Sequence, residues 1–410
     1  CYAESQDGIT WVKPALGIVA FNGNKDNNIV WDAKFINPEK TLFAYFTFVS
    51  VIKPPRATGP ARRYAMYGYY HIVEVTPEGR FSKFHSLATR VAFSPDGLRW
   101  TLDEKQDELF KSGDVNQFYY DPYKKRFYAT WKTGNRRGRA AGIVFSPDGL
   151  KWTKPAERDV FGADDFDPDA SQIYGLGAFP YQGLYVGLPW IYHARWFKNG
   201  AYTDKHMYEA EADSPCTMDV QFAWSWDLLN WNRPPERAPF IALGKEGEFD
   251  AGMVIAAKDP VIVGDRLYFY YSGFLGRHNE GSKLQQSATG LATLRLDGFC
   301  SMRAGTEEGS LISRREQFLI PKVTINAKTA EGGCVEAELL DGKNRVIPGF
   351  SRKECVPFTG DSVRHVLAWN TAELPEAELK TEKKIRFFLK NADLFSYFPD
   401  PKKTSPKETK

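Results

Sequence analysis

The sequence predicts an all-β chain: a five-bladed β-propeller followed by a small C-terminal β-sandwich. Three observations predict it. A turn motif recurs along the first part of the chain, the composition suits short strands and tight turns, and the residue pattern changes near residue 310. The 410 residues are 15% aromatic and 42% hydrophobic, with 34 Gly and 25 Pro. Aromatic residues favour pleated, half-buried surfaces, and Gly and Pro punctuate turns. No long stretch carries a 3.6-residue apolar period, so a helical fold is excluded.

The recurrent motif is Ser-x-Asp-Gly-x-x-Trp, from Ser5 to Trp11, Ser94 to Trp100 and Ser146 to Trp152, with a degenerate copy from Ser225 to Trp231. The Trp always lies six residues after the Ser. An apolar run precedes the last three copies, Asp-Gly supplies a turn, and the Trp opens a returning strand. Each of these units also holds a second hairpin, turning at Asp121-Pro122, Gln182-Gly183 or Gly264-Asp265. Two hairpins make a four-stranded blade, and repeats at this interval signal propellers or solenoids. The expected blades lie near 26–103, 112–156, 165–235 and 246–297, with a partial first blade over 1–14. The chain opens at Cys1-Tyr2-Ala3 as though in mid-strand, so further residues are expected upstream.

The propeller is thus assigned to 1–310 and the sandwich to 316–398, where runs such as Val335–Leu340 and Lys384–Leu389 alternate strictly. The Lys/Pro-rich stretch 399–410 is expected to be a disordered tail.

Charge and cysteine content exclude several functions. The 54 basic and 51 acidic residues nearly cancel to +3, which leaves no electrostatic footprint for nucleic acid. No apolar run is long enough to span a membrane as a helix. Five single cysteines without C-x-x-C spacing argue against zinc, and pairing of Cys334 with Cys355 is left open. No cofactor is called for. So many carboxylates are compatible with a structural Ca2+, although no residues fix its site.

The innermost strands of a propeller converge on a central channel, so polar residues at their starts share one mouth. Acidic residues begin three of the expected blades: Asp114, Asp169, and Glu248 with Asp250. Glycoside cleavage needs such a pair, one carboxyl protonated as acid and one ionised. We therefore read Glu248 or Asp250 as the acid and Asp114 or Asp169 as its ionised partner. Asn116, Gln117, Gln172, His193 and His278 are candidate sugar-binding groups, with Trp190 and Tyr192 as a stacking platform. The basic tip Asn135–Arg139 and the loop arginines Arg56, Arg62 and Arg63 are weaker candidates for anion contacts.

The blade repeat, the Gly247-Glu248-Phe249-Asp250-Ala251-Gly252 segment and the Tyr270-Tyr271-Ser272-Gly273 strand ending resemble the five-bladed superfamily of invertases, levansucrases and arabinanases, glycoside hydrolase families 32, 43 and 68. The segment from Gly342 to Phe350, with Gly360-Asp361-Ser362, resembles the C-terminal sandwich of an uncharacterised bacterial branch. The resemblance implies a secreted or periplasmic glycosidase with a carbohydrate substrate. The superfamily's Asn-Asp-Pro-Asn-Gly and Arg-Asp-Pro motifs have no match here, so it implies an acidic pocket and not the role of each acid. A non-catalytic glycan-binding propeller and a glycoside phosphorylase are the alternatives; the second needs clustered Arg and His, such as His193, Arg195 and His278.

Overall fold

The computed structural model describes residues 1–31, 34–37, 41–55, 59–76, 81–106, 108–154, 159–168, 170–194, 216–281, 286–316, 322–370, 374, 375, 378 and 381–399. Asp169, Arg56, Arg195 and the tail from 400 onward lie outside them. Regular structure among the described residues is strand, with short 3-10 turns at Pro60–Arg62 and Arg352–Glu354. The chain is all-β. It divides into two compact units, Cys1–Pro260 with Phe269–Ala292, and Val261–Tyr268 with Thr293–Lys410.

In the first unit, β1 (Lys34–Asn37), β2 (Leu42–Ile52), β3 (Tyr64–Val75), β4 (Phe81–Ser94) and β5 (Thr101–Leu102) form one antiparallel sheet in chain order. The next sheet holds β6 (Asn116–Asp121), β7 (Arg126–Asn135) and β8 (Gly138–Ser146). Then come β9 (Ser171–Tyr181), β10 (Leu184–His193), β11 (Thr217–Val220), β12 (Ala223–Ser225) and β13 (Trp231–Asn232). They continue into β14 (Met253–Ala256), β16 (Arg266–Phe274) and β17 (Ser287–Arg295), with β15 (Val261–Val263), whose residues fall in the second unit, paired to β16. The expected blades near 165–235 and 246–297 are joined as one nine-stranded sheet, because β11 pairs parallel with β14 at Met218↔Met253.

The four motif copies fold into one turn. The Ser hydroxyl oxygen accepts the N–H three residues on: Gly8, Gly97 and Gly149 at 2.8 Å and Leu228 at 2.9 Å. Each Asp carboxylate accepts the N–H groups two and three residues on, Leu98 and Arg99 at 2.8 Å for Asp96. These donors decide the acidity. Those of Ile9 and Thr10 hold Asp7 well below the usual carboxylate range, as those of Arg99 and Leu98 hold Asp96. Burial works the other way at Asp227, but the bonds from Asn230 and Leu229 prevail and its pKa falls to about 2.

The turn residue has positive φ in every copy: 74° at Gly8, 81° at Gly97, 78° at Gly149 and 70° at Leu228. Leu228 carries the left-handed conformation without glycine's freedom, and its side chain is buried.

The turns then pack the unit together. Trp152 meets Tyr67 of β3 edge-on at 6.2 Å, inside a cluster with Phe118, Phe110 and Val144. Tyr67 in turn stacks on Phe118 at 4.8 Å, which joins the first sheet to the second. The N-terminal hairpin, closed by the Glu4↔Val12 bridge, makes the same kind of contact to β16. Trp11 lies edge-on to Tyr270 at 5.5 Å, and the Tyr270 hydroxyl donates to the Gly8 carbonyl at 2.7 Å.

The second unit is built on two long strands, β20 (Val323–Leu340) and β22 (Lys384–Pro399). The alternating runs read from the sequence pair with each other, Val335↔Leu389 through Leu340↔Lys384. β18 (Met302–Ala304) and β19 (Gly309–Ile312) flank β22, and β21 (Asp361–Leu367) flanks β20. Alternate residues such as Val335, Ala337, Leu339, Ile385, Phe387 and Leu389 enter a buried cluster with Phe350 and Trp369. The five cysteines are free thiols, Cys334 and Cys355 included.

Candidate functional site

The strand starts of the first unit carry two polar centres. The first is a cavity of about 250 Å3 between β2, β6, β14 and β16, lined among others by Ser50, Asn116, Gln117, Trp190, Lys258 and Tyr271. Asn116 and Gln117 open β6, where the pleat turns alternate side chains to opposite faces. The Asn116 Nδ2 donates to the Gly113 carbonyl at 2.9 Å, while Gln117 Oε1 lies 2.5 Å from the Tyr119 hydroxyl.

Two residues that line this cavity each hold a buried polar atom that is left over. Asn116 and Trp190 are fully buried, and Asn116 Oδ1 and Trp190 Nε1 have no hydrogen-bond partner among the described residues. A buried acceptor and a buried donor of this kind each cost free energy until something pairs with them.

Asp250 reaches the same cavity through Tyr271. The Tyr271 hydroxyl donates to Asp250 Oδ2 at 2.8 Å, and Asp250 is buried just before β14. Burial, reinforced by the bond to the Asp250 carboxylate, pushes the Tyr271 phenol up to about 12. The pair is seated on glycines. A Cβ at Gly244 would overlap the Asp250 carboxylate, one at Gly273 would strike Phe249 and Asp250, and one at Gly290 would enter the Tyr271 ring. The close approach of backbone is what glycine permits here.

The second centre surrounds Tyr174 in β9. Lys132 lies over its ring at 4.6 Å and Arg139 at 5.5 Å, and His278 Nε2 sits 3.2 Å from its hydroxyl. Gln172 accepts from Arg139 Nη1 at 3.0 Å, and the Arg139 guanidinium also covers Tyr192 at 5.0 Å. Asp114 forms an ion pair with Lys132. Burial lowers the Lys132 pKa and nearby Arg139 adds to this, while Asp114 opposes both.

The remaining residues read from the sequence fall as follows. Glu248 is exposed and its Oε2 accepts the Lys245 N–H at 2.7 Å, capping its own turn. Trp190 and Tyr192 are both 1% exposed, so neither presents the open ring face that a stacking platform requires. Trp190 lies against Phe48 at 6.3 Å, and Tyr192 donates to Cys216 Sγ at 3.2 Å. Their strand is covered on both faces, which is why its apolar run gives no alternation. His193 Nε2 lies 2.5 Å from Asp219 Oδ2. Arg137 of the basic tip pairs with Asp165 and donates to the Asp164 carbonyl, and Arg62 covers the Phe93 ring at 4.3 Å.

Sequence reading missed Lys132, Tyr174 and Asp219, and named Arg139 only as part of the basic tip. The cations sit in hairpins whose inward side shows only in three dimensions. Tyr271 was in view within Tyr-Tyr-Ser-Gly, with nothing in that run to mark its partner Asp250.

No family model matches the chain, and no curated protein matches it. Solved structures of similar fold include a protein described as a glycoside hydrolase, at 16% identity over 71% of this chain and 76% of that one, TM-score 0.42. An N-acetylgalactosamine deacetylase from F. plautii is 15% identical over 72% of this chain and 80% of its own, TM-score 0.44. A family 32 β-fructofuranosidase from Bombyx mori is 10% identical over 85% and 78%, TM-score 0.35.

Proposed function

We propose that the chain is a glycoside hydrolase, with a five-bladed propeller over its first part and a C-terminal β-sandwich. The repeated turn supports the propeller, as does the contact of the N-terminal hairpin with β16, where a ring of sheets would close. The observation that carries the function is the Asp250–Tyr271 pair at a cavity that Asn116, Gln117 and Lys258 also line, polar groups of the kind that meet sugar hydroxyls.

In this reading Asp250 is the acid, buried and held in one orientation by Tyr271, and Asp114, which is ion-paired with Lys132, is the second carboxylate. Glu248, occupied in its turn, is the weaker choice for the acid, and Asp169 stays the other choice for the partner. Asp250 protonates the glycosidic oxygen as the C–O bond breaks, and the second carboxylate meets the anomeric carbon or the attacking water. The enzyme would act outside the cytoplasm on a poly- or oligosaccharide. An activity screen on neutral and acidic polysaccharides and aryl glycosides, run with Asp250→Asn and Asp114→Asn, tests this. Turnover that persists in both variants contradicts it.

One observation favours a second reading, phosphorolysis: Lys132, Arg139 and His278 gather on Tyr174, where an oxyanion would be welcome. Cleavage that requires inorganic phosphate and releases a sugar phosphate would select it over hydrolysis.

A further inference from the structure

The hydroxyl of Tyr119 joins parts of the first unit that are far apart in sequence. Its oxygen accepts the Ala178 N–H of β9 at 3.0 Å. Two acceptors stand beside it, Gln117 Oε1 at 2.5 Å and the Lys258 carbonyl at 3.1 Å. Gln117 lies two residues before Tyr119 on the same face of β6, and Lys258 follows β14. Both line the cavity of the candidate site. Tyr119 is 1% exposed, and burial holds its phenol well above the ordinary pKa, so the proton stays on the oxygen. The ring is fixed by its neighbours. It stacks on Tyr128 at 5.0 Å and 13°, and Lys258 Nζ lies over it at 4.8 Å. The Tyr128 hydroxyl donates to the Ala178 carbonyl at 2.6 Å, so Ala178 is bound through both its N–H and its C=O.

A phenol has one proton to give. An O–H···O bond spans about 2.5–3.0 Å and an N–H···O bond about 2.7–3.2 Å. The 2.5 Å contact therefore fits the phenol proton on Gln117 Oε1. It is too short for the carboxamide turned the other way, with Nε2 donating to the phenol. Holding Oε1 leaves the amino end of Gln117 for other partners. Among the described residues Nε2 has no hydrogen-bond partner, and it is not sealed from solvent.

We propose that Tyr119 is a positioning residue that fixes Gln117 as a hydrogen-bond donor of the cavity, so that the bound ligand must place an acceptor oxygen there. The inference rests on the carbohydrate reading, in which that oxygen belongs to a sugar. A deoxy sugar that lacks it leaves the donor unpaired and binds less well.

The test uses the whole chain, with KM and kcat on a panel of aryl glycosides and calorimetry on neutral oligosaccharides. Tyr119→Phe should raise KM about ten-fold on the glycoside cleaved, with kcat nearly unchanged. Gln117→Ala should do the same, and the double variant should go no further, because both remove one and the same positioned donor. Gln117→Glu keeps an acceptor for Tyr119 but offers no donor, so it should lose as much as Gln117→Ala. Tyr128→Phe removes a buried hydroxyl from the same network without touching Gln117. It should weaken folding in urea and leave KM alone. Losses from Tyr119→Phe and Gln117→Ala that add, or a wild-type KM in Gln117→Glu, overturn the proposal.

A second readout needs no ligand. With glutamine labelled on its side-chain nitrogen, nuclear magnetic resonance identifies the Gln117 carboxamide by its loss in Gln117→Ala. Its relaxation should be that of a restrained group in the wild type and of a mobile one in Tyr119→Phe. A carboxamide equally restrained in both overturns the positioning. A carboxamide that Tyr119→Phe releases, in a chain that neither binds nor cleaves any saccharide, upholds the positioning and overturns the carbohydrate reading instead.

Discussion

The indole N–H of Trp231 donates to the carbonyl of Leu228 at 3.0 Å, the bond that Trp152 makes to Gly149 and Trp100 to Gly97 at 3.1 Å. The fourth turn thus keeps the geometry of the repeat after losing its glycine. What the backbone loses at Leu228 is offset by a fully buried apolar side chain.

Glycine at the other copies has two separable reasons. At Gly97 an added Cβ would make only ordinary contact with Tyr64, at 3.8 Å, so Gly97→Ala meets the left-handed cost alone, about 1–2 kcal/mol. At Gly149 the Cβ would also strike the hydroxyl of buried Tyr67. Equilibrium urea unfolding should show Gly149→Ala losing more stability than Gly97→Ala.

The turn carboxylates set an acid limit. Asp7, Asp96, Asp148 and Asp227 all have lowered pKa values; at Asp148 burial opposes the shift, and the N–H groups of Lys151 and Leu150 outweigh it. A lowered folded value means stability that is present above the ordinary value near 3.8 and lost as pH falls through the folded one, about 2 for Asp227. Urea midpoints should therefore drop between pH 4 and 2, and Asp227→Asn should flatten part of that drop.

Asp167 is bound by Arg233 through both carboxylate oxygens at 2.6 Å, with both side chains at least nine-tenths buried. Arg233→Ala removes that fork and leaves Asp167 with the Asp164 N–H at 2.9 Å and Arg237 Nε at 3.7 Å, so the loss in equilibrium unfolding should stay below the roughly 3–5 kcal/mol of a fully stranded buried charge. Arg233→Lys keeps the charge without the fork and should recover part of the loss.

Tyr271→Phe removes the one hydroxyl that the structure places on Asp250 Oδ2. As Asp250 gives up its proton this bond becomes one to a charged group, worth about 1.5–3 kcal/mol, so kcat should fall roughly 10- to 100-fold with the fold unchanged. Stopped or continuous assays on whichever glycoside the wild type cleaves would read this directly.

Sequence reading went furthest where chemistry is local. Ser94, Asp96, Gly97 and Trp100 act within one turn, and their spacing alone specifies the bonds they form. The long pairing of Val335–Leu340 with Lys384–Leu389 was legible as two alternating runs, since one face of each enters a core. The bulge at Ser82, between the pairs Val75↔Phe81 and Glu74↔Lys83, was not, because it breaks the period on which that argument depends. At the site, Asp114 and Asp250 were visible as acids at strand starts. Their partners Lys132 and Tyr271 lie 18 and 21 residues further on, in returning strands whose inward side no spacing reveals. Glu248 and Asp250 looked equivalent in Gly-Glu-Phe-Asp-Ala-Gly, and only their hydrogen bonds separate them, one to its own turn and one to Tyr271.

The proposed function turns on Asp250 as the acid of a glycosidase. The most direct measurement is kcat/KM for paired aryl glycosides of one sugar, with a poor and a very good leaving group, on the wild type and Asp250→Asn. An acid matters only where the leaving oxygen needs a proton. The account predicts a loss of about 10²–10⁴-fold on the poor leaving group and far less on the good one. Equal rates for wild type and variant on both substrates would contradict it.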